Sequence, residues 1–338
     1  MAMNTVADDL RDPGAATTAV VLVNLGTPDA PTAGAVRRYL AQFLHDYRVV
    51  DMTRWLWCPL LHFVILPIRS PKVAKKYASV WLAGPDGGSP LAAYTRRLAR
   101  AVQRELPGVR VVEAMRYGNP ALATTVAALR AEGVQRILAL PLYPQYSTST
   151  TAAVDDVLAT IDGLPMRMVE EYHLDASWVE AVADSIRRHR AEHPADERGA
   201  GVHLLFSFHG LPQRFADRGD PYPRQCEASA RAIALALGLA DDAWTLSYQS
   251  RFGRDKWLEP ATTATLDALA ARGVRQVDVV APGFAVDCLE TLEEVAIMLA
   301  EEFAAHGGQL RYIACLNDSP PHARALAAIA RRELDGWR

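Results

Sequence analysis

The sequence predicts an α/β protein of two similar doubly wound, Rossmann-like lobes. Each is a four-stranded parallel sheet flanked by helices, and the active-site cleft lies between them. Three observations predict this. Short β-branched runs alternate with helical stretches, the pattern that builds parallel sheets covered on both faces. The plan of the first half recurs in the second. With 338 residues, 50% of them hydrophobic, the chain is long enough for two domains of ordinary size.

The elements follow in order. The first 18 residues have no apolar core and read as a loose tail, neither signal nor transit peptide. AVVLVNLG (19–26) is a buried strand ending in glycine. WLWCPLLHFVILPI (55–68) is only 14 residues long and holds two prolines. That is too short to span a bilayer as a helix, which needs about 20 apolar residues. Two readings of it stand: a core helix or helical hairpin, or an exposed apolar lip facing a flat hydrophobic substrate or a membrane surface. DGGSP (86–90) opens the helix LAAYTRRLARAVQREL, with Ser89 and backbone N–H groups placed for an anion.

RVVEAMRYG (110–118), ALATTVAALRAEG and VQRILALPLYPQYS complete the first plan. VHLLFSFHG (202–210), AWTLSYQSRFG (243–253), ATTATLDALAARG and VRQVDVVAPGFAVD repeat it. Arg116 and Gly118 match Arg251 and Gly253. At a constant offset of 140, Thr125, Leu129 and Gly133 match Thr265, Leu269 and Gly273. Each helix ends at a glycine suited to a left-handed cap. The expected boundaries are 19–165 for the first lobe with its lip and 166–318 for the second. A C-terminal helix, 319–338, packs back on the body.

Several functions lose ground. A net charge of −3 and a pI near 6.3 do not suit nucleic-acid binding. Cys58, Cys226, Cys288 and Cys315 lie far apart, which suits a reducing compartment and neither disulfides nor a thiol-built metal site. Dinucleotide, P-loop, nucleophile-elbow and zinc-protease motifs are all missing.

In this fold class ligands bind where strands end. LLFSFHGLP (204–212) ends a strand on His209, and the following Gly and Pro suggest a turn that aims the ring into the cleft. A neutral imidazole suits both proton abstraction and binding of a divalent metal; a structural histidine is the plainer alternative. LPLYPQYSTSTT (140–151) places Tyr143, Tyr146 and a run of hydroxyls at a matching strand end. Asp287 and Glu290 have capping-box spacing. At 100° per residue Glu290, Glu294, Ile297 and Glu301 share one helix face. His209 and Glu290 converging on one atom would favour an exchangeable first-row divalent metal.

These residues carry a family resemblance. VNLGTPD, RSPKVAKKY, GGSPL, MRYGNP, YPQYSTSTT, FSFHGLP, RGDPYP, YQSRFG, KWLEP and LETLEE resemble the ferrochelatase motifs, in family order over roughly residues 19–320. The resemblance implies a lyase that inserts Fe2+, a substrate, into protoporphyrin IX as the last step of haem synthesis, with no permanently bound cofactor. It implies His209 at the pyrrole nitrogens as base and metal contact, Glu290 as its metal-binding partner, Asp287 as a further catalytic group, and Glu294 on an acidic path. It places Leu25, Arg116, Tyr117 and Tyr143 along the porphyrin pocket, Trp257 as an aromatic wall, and Arg69, Ser89, Gln249, Ser250 and Arg251 towards the propionates. Residues 55–68 become the hydrophobic lip, and a cytoplasmic enzyme peripheral to the inner face of the cell membrane is expected.

Departures from the family sharpen these expectations. Thr148 stands where cluster-bearing members have a cysteine, and no cysteine follows Cys315, so no [2Fe–2S] cluster is expected. Met298 stands where a further glutamate would extend the acidic path, and Cys288 replaces a histidine found in other members. Leu25, where the coproporphyrin-using branch has tyrosine, favours protoporphyrin IX. Coproporphyrin III insertion, a sirohydrochlorin-type chelatase and a non-catalytic haem or metal carrier are the rival readings; the greasy lip argues against sirohydrochlorin.

Overall fold

The computed structural model describes residues 17–194, 201–253 and 255–337. The first lobe runs β1 (Thr18–Thr27), α1 (Ala33–Leu44), α2 (Arg54–Leu60), α3 (Leu66–Val80), α4 (Pro90–Glu105), β2 (Arg110–Gly118), α5 (Leu122–Ala131), β3 (Arg136–Pro141), α6 (Thr151–Leu158) and β4 (Met166–Met168). The second runs α7 (Ala176–Glu192), β5 (His203–His209), α8 (Gln213–Asp217), α9 (Tyr222–Ala236), β6 (Trp244–Gln249), α10 (Thr262–Ala271) and β7 (Gln276–Val280). After β7 come a π-helix (Glu290–Leu299), α11 (Ala300–Ala305), β8 (Gln309–Ile313) and α12 (Pro320–Asp335). The sheet orders are β2-β1-β3-β4 and β6-β5-β7-β8, parallel throughout. The same permutation in both sheets is the repeat read from the sequence.

Two expected boundaries move. Met166–Met168 pairs with Ile137–Ala139 and completes the first sheet, so that lobe extends beyond 165. Three residues are too few for alternation to reveal a strand, and only pairing with β3 defines it. Thr18, expected in the tail, opens β1 and is buried, its hydroxyl accepting from Arg136 Nε at 2.8 Å. Residues 1–16 of the expected tail lie outside the described residues.

One core joins the lobes. Val20 and Leu22 of β1 and Leu138 and Leu140 of β3 share a cluster with Leu204, Phe206 and Phe208 of β5. Leu98 of α4, Trp178 of α7, Ile233 of α9 and Leu326 of α12 belong to the same cluster. The opposite faces bury Val21, Leu129 and Ala139 in one lobe and Leu205, Leu269 and Val279 in the other. Strands buried on both faces have no polar side to show, which is why they read as continuous apolar runs.

The segment 55–68 is neither a hairpin nor wholly core. From Arg54 to Val80 the chain is one helix with a π turn at Leu61–Ile65, where Leu66 N–H reaches back to the Leu61 carbonyl. Pro67 has no N–H to donate, and the His62 carbonyl instead accepts from Arg37 Nη2 at 3.2 Å. Trp57, Leu61 and Leu66 bury against Leu44. Trp55, Leu56, Leu60, Phe63, Val64 and Ile68 are exposed, Phe63 by 81%. Among the described residues no helix is long and apolar enough to cross a membrane.

Candidate active site

His209 closes β5 opposite Gln249, the last residue of β6. Gly210 N–H donates to the Gln249 carbonyl at 2.8 Å. A Cβ on Gly210 would lie 2.8 Å from that oxygen and 3.2 Å from the Trp257 ring, so the turn behind the histidine has room only for glycine. The imidazole Nδ1 lies 2.7 Å from the Gly210 carbonyl. A carbonyl only accepts, so Nδ1 carries a proton, and in the neutral tautomer this leaves Nε2 bare. Phe284 lies 6.3 Å from the ring, and Tyr222 OH donates to the His209 carbonyl at 3.0 Å.

Gln249 and Ser250 tie this strand end to the π-helix. Gln249, buried, accepts from Ser207 Oγ at 2.7 Å and donates from Nε2 to the Glu290 carbonyl at 2.8 Å. Ser250 holds φ at 63° and donates its N–H and hydroxyl to the two carboxylate oxygens of Glu294, at 2.7 and 2.6 Å. Burial pushes the Glu294 carboxyl above its ordinary value. The Ser250 bonds and the nearby His209 pull it down, and Glu290 pushes it up. His209, Glu290 and Glu294 therefore share one electrostatic neighbourhood. Tyr39 of α1 and Tyr77 of α3 face Glu290 from the first lobe, both phenols raised chiefly by burial.

The acidic face differs from the 100° wheel. Over Glu290–Leu299 the hydrogen bonds span five residues rather than four, which rotates each successive side chain less than the wheel assumes. Glu290 and Glu294 stay at the site. Ile297 turns outward, and Glu301, in α11, is exposed. Asp287 also takes another place. It forms no side-chain cap on the π-helix. Its Oδ1 accepts from Thr291 Oγ1, Tyr312 OH and Cys315 N–H, and its Oδ2 from Asn317 Nδ2. Four protein donors make it an anchor behind the site rather than a group presented to it.

The facing wall starts at β2. Arg116 Nη2 and Tyr117 OH both donate to Asp46 Oδ2, the second at 2.8 Å, and Arg116 Nε donates to the Ala153 carbonyl at 2.6 Å. The guanidinium lies over the Tyr117 ring at 4.5 Å. Tyr39, Phe43 and Tyr117 form an aromatic row with centroids 6.1 and 5.2 Å apart, and Tyr143 is half-buried near Tyr117 and Arg116, its buried hydroxyl without a partner among the described residues. Leu25 is half-buried at the end of β1. Beside it a Cβ on Gly26 would come within 1.7 Å of the Tyr117 carbonyl, so the strand backbones nearly touch.

Other expected residues scatter. Ser89 is buried and accepts from Thr27 Oγ1 at 2.7 Å, closed off rather than open to an anion. Arg69 and Arg251 are exposed; Arg69 lies over the Phe252 ring at 5.5 Å, and Phe252 leans on Trp257 at 4.7 Å. The hydroxyl run serves the join between lobes: Ser147 Oγ, Thr148 N–H and Thr148 Oγ1 all donate to Asp220 Oδ2, at 2.7–2.9 Å. Among the described residues no three histidine, cysteine or carboxylate side chains are grouped to hold a metal ion. All four cysteines are free thiols.

A sequence model of the ferrochelatase family matches residues 17–334. The chain belongs to the ferrochelatase family. It is therefore a metal chelatase, a lyase. The ferrochelatase of Stenotrophomonas maltophilia (strain R551-3) is 58% identical over 321 residues, 94% of this chain and 98% of that one. The ferrochelatase of Xanthomonas axonopodis pv. citri (strain 306) is 55% identical over 334 residues, 98% of this chain and 100% of that one. Among solved structures, SirB from Bacillus subtilis with Fe3+ aligns with a TM-score of 0.52 and 11% identity over 93% of this chain and 94% of that one. At that identity the likeness establishes a shared two-lobed fold.

Within this ferrochelatase-family site, sequence reasoning missed Asp46, Tyr39 and Tyr77. Asp46 lies in HDYRVVD between α1 and α2, and no local pattern separates it from a solvated loop acid. Its signal is spatial: it meets Arg116 from 70 residues away.

Proposed function

We propose that this chain inserts Fe2+ into protoporphyrin IX, yielding protohaem and two protons, as the last step of haem synthesis. The observation that carries the proposal is His209 at the end of β5, its Nδ1 committed to the Gly210 carbonyl, in one electrostatic neighbourhood with Glu290 and Glu294. A free-base porphyrin must lose two pyrrole protons before its four nitrogens can hold a metal. Nε2 accepts the first, and the neighbouring carboxylates of Glu290 and Glu294 are available for the second. His209 and Glu290 make up the donor set for incoming iron. The half-buried Leu25, the Arg116–Tyr117 wall and Trp257 flank the macrocycle, and a tight cleft of this kind favours the puckered ring that metal insertion needs.

Two further parts complete the proposal. The exposed face of Trp55, Leu56, Leu60, Phe63, Val64 and Ile68 serves as the hydrophobic mouth and rests on the inner face of the cell membrane, the rest of the chain being in the cytoplasm. No iron–sulfur cluster takes part, because the residue at the relevant loop position is Thr148, committed to Asp220.

Anaerobic Fe2+ insertion assayed in parallel with protoporphyrin IX, coproporphyrin III and sirohydrochlorin tests the reading. Protoporphyrin IX is expected to be turned over fastest. Preference for either other tetrapyrrole replaces it as substrate, and stoichiometric binding without turnover makes the chain a carrier.

A further inference from the structure

Asn317 sits in the turn between β8 and α12, and its hydrogen bonds go to Asp287, Ala285 and His322. Its backbone holds φ at 48°, a left-handed conformation that asparagine tolerates better than most residues. Its side-chain amide grips Asp287 twice: Nδ2 donates to Asp287 Oδ2 at 2.7 Å, and Oδ1 accepts from Asp287 N–H at 2.8 Å. Its backbone is pinned as well. Asn317 N–H donates to the Ala285 carbonyl at 3.1 Å, and the fully buried His322 donates from Nδ1 to the Asn317 carbonyl at 2.7 Å. On the far side of Asp287, Oδ1 accepts from Thr291 Oγ1 at 3.1 Å, and that same hydroxyl oxygen accepts from Cys288 N–H at 3.0 Å. Thr291 is the residue after Glu290. A continuous set of hydrogen bonds thus runs from α12 through Asn317 and Asp287 into the first turn of the π-helix.

We infer that Asn317 is a positioning residue for metal insertion, fixing through Asp287 the place of Glu290 opposite His209. This rests on the proposed function. A π-helix is rare and seldom runs beyond one turn, so one of 10 residues calls for support from outside itself. Glu290 stands at its first turn, where no side-chain cap holds it. Gln249 and Ser250 hold the π-helix from the β6 side, and the Asn317 amide adds support from behind, through Asp287. None of its contacts touches Arg116, Tyr117 or Trp257, so losing it leaves the porphyrin walls in place and shifts only the acidic group. A displacement of about 1 Å at a reacting group is sufficient to cost on the order of 100-fold in rate.

The test is steady-state Fe2+ insertion into protoporphyrin IX by the full chain, wild type and variants side by side. Asn317→Gly keeps the left-handed backbone and removes the amide. It is expected to lower kcat by roughly 10- to 100-fold with the porphyrin KM within about twofold of wild type. Asn317→Asp, nearly isosteric, replaces the Nδ2 donor with an oxygen facing Asp287 Oδ2 and should lower kcat at least as far; it also serves if the glycine variant does not fold. Adding Asp287→Asn to Asn317→Asp exchanges donor and acceptor across the same 2.7 Å contact while leaving an oxygen for Tyr312 and Cys315. The exchanged pair is expected to recover kcat to within about fivefold. Two results overturn the inference: kcat within twofold of wild type in the glycine variant, or an exchanged pair no faster than Asn317→Asp alone. If wild type itself inserts no iron, the proposed function fails instead.

Discussion

Ser250 donates two hydrogen bonds to one carboxylate, its N–H to Glu294 Oε1 at 2.7 Å and its hydroxyl to Oε2 at 2.6 Å. Ser250 turns both donors onto one acceptor from a left-handed backbone, φ 63°, at the end of the strand beside His209. The pair binds the second turn of the π-helix to β6. It also opposes the desolvation that pushes the Glu294 carboxyl upward. Ser250→Gly removes the hydroxyl without straining the backbone, so the Glu294 carboxyl should titrate at higher pH than in wild type. NMR titration of the 13C-labelled carboxyl reads this directly. An unmoved resonance profile would mean that the hydroxyl bond does not help to hold the charged form.

Asp46 joins the mouth to the facing wall. Removing it by Asp46→Leu leaves Arg116 and Tyr117 without their shared acceptor, in a region only 10–16% exposed. Breaking a buried pair costs about 3–5 kcal/mol, and partial exposure here brings the expected loss towards about 2 kcal/mol. Urea unfolding measures that loss, and a fluorescence titration should show weaker porphyrin binding. Unchanged stability together with unchanged binding would remove Asp46 from the site.

His322 makes stability depend on pH. The ring is wholly buried, and burial pushes its pKa down to about 4. Unfolded, it titrates near the ordinary 6.5. Below that pH the unfolded chain takes up a proton that the native state refuses. The stabilisation is therefore complete above about pH 6.5 and is lost as pH falls towards 4, on the order of 3 kcal/mol in all. His322→Asn should flatten the fall of Tm between pH 7 and 5 by this one proton. Parallel curves for wild type and variant would refute it.

The lip predicts reversible attachment to lipid. Leu60 and Phe63 are 41% and 81% exposed and Trp57 is buried, so Leu60→Glu with Phe63→Glu alters the outer face and spares the inner one. Wild type is expected to float with anionic liposomes and the double variant to stay in the pellet fraction, both keeping the same Tm. Equal flotation would assign the apolar face to porphyrin passage alone.

Much of this was legible in the sequence because it is local. β1 and β5 are largely apolar runs, the glycines at 133 and 273 end matched helices, and His209 with its glycine marks a strand end. What stayed hidden depends on partners far along the chain. Asp46 gains meaning only from Arg116, and Asp287 only from Asn317, 30 residues on. The hydroxyl run at 147–151 resembles a ligand site until Asp220 is placed against it. β4 is too short to show a period. The π-helix defeats the wheel because its period is set by bonds that no residue type announces, so Glu301 was grouped with Glu290 although it faces solvent.

The rate of Fe2+ insertion into bound protoporphyrin IX by His209→Ala is the most direct measurement. With Nε2 gone, no neutral base stands at the strand end. General-base help is typically worth about 100- to 10,000-fold. The predicted result is a loss of at least about 100-fold in kcat, with porphyrin still bound. Turnover within a few-fold of wild type would contradict the assignment of His209 as the group that takes the pyrrole proton.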